Sequence, residues 1–176
     1  MAQKWREGRR PAPPLDRERL ERLALRYVER YSTTRAKLTA YLVRKVRERG
    51  WVEDDPPATE ELVERLAELR YVDDAAFAIA RTASLMRRGY GPRRVTADLR
   101  AAGVGDQHQD SEVAERWEAA LAFARRKRIG PFAAEQADRI GRDKAFAALM
   151  RAGHEVGIAK RILKAAPGEI PTWDDD

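Results

Sequence analysis

The stretch that decides the fold runs from YVDDAAFA at residues 71–78 to RRGYGPRRV at residues 87–95. Neither piece has the apolar–polar alternation of a half-buried strand. Asp73-Asp74 places acids at a helix start, where they cap free amides and meet the positive end of the helix dipole. Gly89-Tyr90-Gly91-Pro92 predicts a tight turn, with Pro92 at the first position of the next helix. The stretch therefore predicts two helices joined by a short turn.

The helical pattern continues on both sides of this stretch. Apolar residues spaced by three and four positions predict a first helix from Leu20 to Tyr31. Ser32-Thr33-Thr34 offers an N-cap for a second helix that ends at Gly50, and a third helix is predicted to start near Thr59. Later helices are expected to end at Gly103 and to lie around 111–128, 135–152 and 155–165. The chain is predicted to be all-α.

Three of these helices share one template, in which a helix with inward apolar residues ends at a glycine. The glycines are Gly50, Gly103 and Gly153, separated by 53 and 50 residues. A period near 50 predicts about three tandem three-helix repeats that bury their apolar faces on their neighbours, although chance similarity among Ala/Arg-rich helices is the alternative. The predicted organisation is a flexible basic arm at 1–14, repeats at 15–70, 71–110 and 111–168, and an acidic tail at 169–176.

Composition excludes several classes of protein. The 176-residue chain contains no cysteine, so disulfides and thiolate metal sites are excluded, and His108 and His154 lie too far apart in sequence to suggest a metal site. No apolar run approaches the ~20 residues needed to cross a bilayer. The N-terminus is basic but has no hydrophobic stretch behind it, unlike a secretory signal. We expect a cytoplasmic protein without a cofactor.

The motifs that resemble catalytic signatures lack the sequence context that catalysis requires. Tyr71-Val72-Asp73-Asp74 has the letters of a polymerase metal-binding hairpin, but it precedes a helix start and lacks flanking strands. Gly89-Tyr90-Gly91 lacks the spacing of a phosphate-binding loop, and no nucleophile motif is present. We therefore expect that the protein is not an enzyme.

Charge points instead to an anionic partner. Charged residues make up 36% of the chain, with a net charge of +6 and a pI near 9.8. Basic clusters occur at Arg44–Arg49, at Arg87–Arg100 and at Arg125–Arg128. Each is either a binding surface for phosphate or carboxylate groups or an ordinary solvated helix face. A helix-turn-helix DNA-binding protein with residues 92–102 as recognition helix is a further possibility, although side chains suited to reading base edges are scarce there.

Taken together, these segments resemble the RecX family. The match is carried by Tyr71–Ala78, by Arg87–Val95 and by Leu99-Arg100 with Gly103-Val104, in that order and spacing. Tyr31–Leu38 through Gly50-Trp51 is similar to the first repeat of the family, and Lys144–Gly153 is similar to the third. The long loop at 52–58, the arm at 1–14 and His154 in place of an aromatic residue depart from the family pattern.

The resemblance implies an elongated, curved array of three-helix repeats that lies in the groove of the RecA–DNA filament. It also implies a regulator that curbs ATP hydrolysis and strand exchange by the recombinase RecA, and so affects recombination, DNA repair and the SOS response. We expect a monomer that binds RecA filaments, with weak direct DNA binding left open. The predicted partner-binding residues are Arg87, Arg88, Tyr90, Arg93, Arg94 and Arg100. The predicted structural signature is Tyr71, Asp73, Asp74, Phe77, Gly89, Gly91, Pro92, Gly50, Gly103 and Gly153.

Overall fold

The computed structural model describes residues 12–105 and 112–173. Within these residues the chain is helical, and its extended pairing is limited to one bridge between Leu15 and Trp51. The all-α prediction is confirmed. His108 and the acidic residues 174–176 lie outside the described residues, as does most of the basic arm. The helices are α1 (Arg17–Arg30), α2 (Arg35–Arg49), α3 (Thr59–Glu68), α4 (Asp74–Arg87), α5 (Pro92–Ala101), α6 (Val113–Lys127), α7 (Arg139–Arg151) and α8 (Val156–Lys164), with a 3-10 helix at Gly130–Phe132.

The chain divides into two compact units, the first ending at Asp74 and the second beginning at Ala75. In the first unit, α1–α3 enclose a leucine-rich core that includes Leu38, Leu42 and Leu66. Burial of these side chains is the main stabilising contribution, on the order of 2 kcal/mol for each leucine. The helical spacing seen in the sequence therefore does mark the side of each helix that faces the core.

Capping side chains set where the first helices begin. The Thr34 hydroxyl accepts a hydrogen bond from the backbone N–H of Lys37 at 3.2 Å, so the predicted N-cap of α2 is confirmed. Asp74, the first residue of α4, makes a contact that the sequence did not predict. Its carboxylate accepts a hydrogen bond from the backbone N–H of Arg35 at 2.9 Å and thus binds the N-terminus of α2.

The segment before α1 is anchored to α2. The Arg49 guanidinium donates to the carbonyl of Pro13 at 2.9 and 2.6 Å, and Leu15 is fully buried. The predicted flexible arm at 1–14 thus includes residues that pack on the first unit, and its residues 1–11 lie outside the described part of the chain.

In the second unit, α6 is the helix on which the others pack. Ala119 of α6 joins the core of α4 and α5, whereas Trp117 and Phe123 join cores with α7 and α8. Small residues at Ala120 and Ala124, both fully buried, allow the neighbouring helices to approach closely. The helix pairs α4–α5 and α7–α8 therefore share one central element.

The template glycines end their helices through positive φ angles, which favour glycine. At the ends of α5 and α7, Gly103 and Gly153 have φ of 74° and 90°. The residue after each glycine donates a backbone hydrogen bond to the helix, at 3.0 Å for Val104 and 3.1 Å for His154.

None of the helices in the described ranges is long and apolar enough to cross a membrane.

Candidate partner-binding surface

The surface predicted to bind a partner is built on the turn between α4 and α5. Gly89 lies just after the end of α4 and has a φ of 76°. The Tyr90 N–H donates to the Leu85 carbonyl at 3.1 Å. Pro92 is the first residue of α5, as predicted. The chain reverses within a few residues, so the arginines that precede and follow the turn lie near one another.

The turn is held in place by the end of α7. The Gly91 N–H donates to the Ala152 carbonyl at 2.9 Å, and the Arg93 N–H donates to the Gly153 carbonyl at 3.2 Å. A Cβ atom on Gly91 would lie 2.4 Å from backbone atoms of Gly153, so a larger residue cannot occupy this position without displacing the backbone. The free carbonyls at the end of α7 thus satisfy free amides at the start of α5.

Four exposed arginines flank this turn. We call Arg87, Arg88, Arg93 and Arg94 the turn arginines. Among the described residues, the side chains of Arg87, Arg93 and Arg94 make no ion pair or hydrogen bond. Arg100 is also exposed but lies about 10 Å further along α5, on the same face as Arg93. The predicted set is therefore brought together at the turn, with Arg100 at its margin.

One member of the surface comes from α6 and was missed in the predicted set. The Arg126 guanidinium donates to the Arg88 carbonyl, and its carbon lies 5.9 Å from the centre of the Tyr90 ring. The Arg88 guanidinium lies 5.5 Å from the same ring centre. Tyr90 thus holds cations from two elements by cation–π attraction. The sequence showed a basic cluster at 125–128 but carried no signal for its position beside the turn.

The carboxylate on α5 forms its ion pair with an arginine of α4 and not with the turn arginines. Asp98 is the carboxylate on α5, and it receives two hydrogen bonds from Arg81 at 2.7 and 2.9 Å. This paired contact raises the pKa of Arg81 above its ordinary value. Because Asp98 is bound to α4 in this way, it is already neutralised by a cation away from the turn.

The basic cluster of α2 differs from the turn arginines. Glu48 accepts a hydrogen bond from Lys45 at 2.6 Å and lies 3.6 Å from the Arg44 guanidinium. The Lys45 hydrogen bond, supported by the charges of Arg44 and Arg47, lowers the pKa of Glu48. Part of the charge of this cluster is therefore compensated within its own helix.

The remaining signature residues have structural roles or lie at the surface. Asp73 forms an ion pair with Arg70 at 3.2 Å, and Asp74 binds the start of α2. The Tyr71 side chain is exposed, whereas Phe77 packs beside the core of α4 and α5. Across residues 12–105 and 112–173, no group of histidine and carboxylate side chains is arranged to hold a metal ion.

The sequence is similar to those of known proteins, and the similarity includes this surface. A family model described as the second three-helix domain of RecX matches residues 73–111, which include the turn. A regulatory protein RecX from Myxococcus xanthus is 34% identical over 167 aligned positions, covering 84% of this chain and 86% of the relative. A regulatory protein RecX from Deinococcus radiodurans is 38% identical over 96 positions, covering 54% of this chain and 44% of the relative.

The fold is also similar to a solved structure. The crystal structure of RecX from Lactobacillus salivarius matches with a TM-score of 0.64 at 18% identity, covering 84% of this chain and 94% of the other. With the relative from Myxococcus xanthus, the match extends over nearly the whole chain. The chain belongs to the RecX family of regulatory proteins.

Proposed function

We propose that this protein binds the RecA–DNA filament and inhibits its ATP hydrolysis and strand exchange, thereby restraining recombination, DNA repair and the SOS response. The observation that supports this most directly is the set of exposed turn arginines without side-chain ion pairs among the described residues. The backbone at the α5 end of the turn is fixed by hydrogen bonds to the carbonyls of Ala152 and Gly153, so less loop ordering is required on binding. Such a surface suits carboxylates or phosphates of a filament.

The competing hypothesis is a helix-turn-helix protein that reads DNA directly through α5. In that class the N-terminal residues of the recognition helix enter the major groove. Here the N–H groups of Gly91 and Arg93 at the start of α5 already donate to the carbonyls of Ala152 and Gly153, at 2.9 and 3.2 Å. The α5 N-terminus also abuts α7. These contacts favour recognition by arginine side chains and disfavour insertion of α5 into a groove.

The test is ATP hydrolysis by RecA from the same organism on single-stranded DNA, with this protein titrated in. The variant Arg93→Glu/Arg94→Glu is expected to raise the half-inhibitory concentration about tenfold, a loss of roughly 1.4 kcal/mol of binding free energy. A matched control, Lys160→Glu/Lys164→Glu, changes the charge equally on exposed positions of α8. It is expected to stay within about twofold of the original protein.

The stoichiometry separates modes of action. Inhibition well below one molecule per RecA would indicate capping or propagated disassembly of filaments, and inhibition near one to one would indicate simple occupation of the filament. If the protein has no effect on hydrolysis and binds DNA alone with an affinity that falls steeply with salt, the RecA proposal is wrong and the direct DNA binder is correct.

A further inference from the structure

His154 is a buried polar residue at the junction between the end of α7 and the α4–α5 turn. Its side chain is 1% exposed, and its Nε2 lies 3.1 Å from the Gly89 carbonyl oxygen. Because a carbonyl can only accept, Nε2 carries the proton and the ring is in its Nε2–H form. In the sequence, His154 departs from the family pattern and carries no motif that suggests a role.

The other side of the imidazole is apolar. The ring contacts Phe123 of α6 edge-on at 5.5 Å between centres, and Nδ1 is buried without a hydrogen-bond partner among the described residues. An unprotonated Nδ1 tolerates this environment better than a protonated one, which would bury an N–H and a positive charge. Burial accordingly lowers the pKa of His154. The site accepts the neutral ring in one tautomer.

Three consecutive residues at the end of α7 contact the turn. The carbonyls of Ala152 and Gly153 bind the N–H groups of Gly91 and Arg93, and the His154 side chain binds the Gly89 carbonyl. The first two contacts are made by the backbone and do not depend on side-chain identity. The third holds the α4 end of the turn, next to Arg87 and Arg88, and is made by a side chain alone.

We propose that His154 is a positioning residue for the turn arginines. By donating its Nε2–H to Gly89, it fixes the α4 end of the turn while the backbone of residues 152–153 fixes the α5 end. The two arginine pairs are thereby held at one spacing, so less of the turn has to be ordered when a partner binds. This inference rests on the proposed function, because it assigns His154 a role in presenting the surface that binds the filament.

The same geometry makes the surface sensitive to pH. Protonation would place a second N–H on Nδ1, which is buried and has no acceptor among the described residues. The Glu155 carboxylate next in sequence is already bound by Arg116 at 2.7 Å. Apart from Glu155 itself, the charged residues closest in sequence to the groups that meet here, together with the partner of Glu155, are arginines. These residues are Arg87, Arg88, Arg93, Arg94, Arg125, Arg126, Arg151, Arg116 and Glu155.

Hydrogen exchange tests the positioning role without RecA. His154→Phe keeps an aromatic ring beside Phe123 but removes the donor, whereas His154→Gln keeps an N–H donor at similar reach and cannot titrate. We expect amides of residues 86–94 to exchange about tenfold faster in His154→Phe and within about threefold of the original protein in His154→Gln. The α6 amides of residues 117–124 serve as the internal reference for global unfolding. Unchanged exchange at 86–94 in His154→Phe would overturn the proposal.

Binding of the fluorescently labelled full chain to RecA–DNA filaments tests the consequence. At neutral pH we expect His154→Phe to bind about fivefold more weakly, and His154→Gln to bind like the original protein. Between pH 7.5 and 5.5 the affinity of the original protein should fall relative to that of His154→Gln, a ratio from which the pH response of RecA itself cancels. A constant ratio, or full affinity of His154→Phe despite faster exchange, would overturn the functional role.

Failure of the proposed function gives a different pattern. If neither the original protein nor Arg93→Glu/Arg94→Glu binds filaments, the RecA proposal is wrong, and the exchange experiment still decides whether His154 positions the turn. A second pattern is that the original protein binds filaments and Arg93→Glu/Arg94→Glu binds them equally well. In that case the turn arginines do not contact the filament, and His154 does not act through them.

Discussion

Two helices that share one sequence template, α2 and α7, end in different surroundings. Gly50 at the end of α2 is exposed, and a Cβ atom there would come no closer than 3.9 Å to a neighbour. Gly153 at the end of α7 is buried, and a Cβ atom there would lie 2.4 Å from the Arg94 backbone nitrogen. Both have positive φ, of 84° and 90°. A shared template therefore predicts how a helix ends but not what docks on that end.

The same contrast applies to the basic clusters of the two units. On α2, Glu48 lies three and four residues after Lys45 and Arg44, within reach of both on one helix face. On the α4–α5 turn the nearest acid in sequence after the arginines, Asp98, is bound by Arg81. Two basic clusters that are similar in sequence thus differ in how much of their charge is available to a partner.

The largest effect is expected from adding one methyl group to Gly153 or to Gly50. Gly153→Ala should reduce the free energy of unfolding of the second unit by about 4 kcal/mol, because strain at positive φ adds to a backbone clash. Gly50→Ala should cost the first unit about 2 kcal/mol, from strain alone. Urea unfolding, with each unit followed by the hydrogen exchange of its own peptides, measures both values. Equal losses would show that the different surroundings of the two glycines do not change the cost of the added methyl group.

A smaller effect is expected from pH, confined to the second unit. The pKa of His154 is lowered by folding, so the unfolded chain binds the proton more readily than the folded one. Stability from this residue is therefore fully present above its ordinary pKa of about 6.5 and is lost as the pH falls from there towards the folded value. Urea midpoints between pH 5 and 8 should show this slope in the original protein and lose it in His154→Gln.

The smallest effect is expected from removing the acid that compensates α2. Glu48→Gln frees Lys45 and Arg44 and should strengthen binding to single-stranded DNA about twofold at low salt, because exposed pairs contribute little. Fluorescence anisotropy at several salt concentrations measures it, and the gain should vanish as salt screens the charges. Asp98→Asn is the matched change beside the turn arginines. A gain that persists at high salt would show that charge is not its cause.

Much of this protein follows from its sequence alone. Spacing of apolar residues predicts which face of each helix is buried, as at Leu42 and Leu99, because a helix can bury only one stripe. Thr34 and Pro92 mark helix starts because their chemistry suits local backbone positions. The motif order around Tyr71–Val95 was also sufficient to suggest the RecX family, to which the chain belongs.

Tertiary structure alone decided which charges are free and what holds them. The approach of Arg126 to Tyr90 and Arg88 joins residues more than thirty positions apart. The bond between His154 and Gly89 spans 65 positions. Local patterns report on backbone propensity and amphipathicity within a few turns, whereas these contacts depend on how α4–α5 and α7–α8 pack on α6. Packing of that kind is set by the sum of many small side-chain contacts, which no single motif encodes.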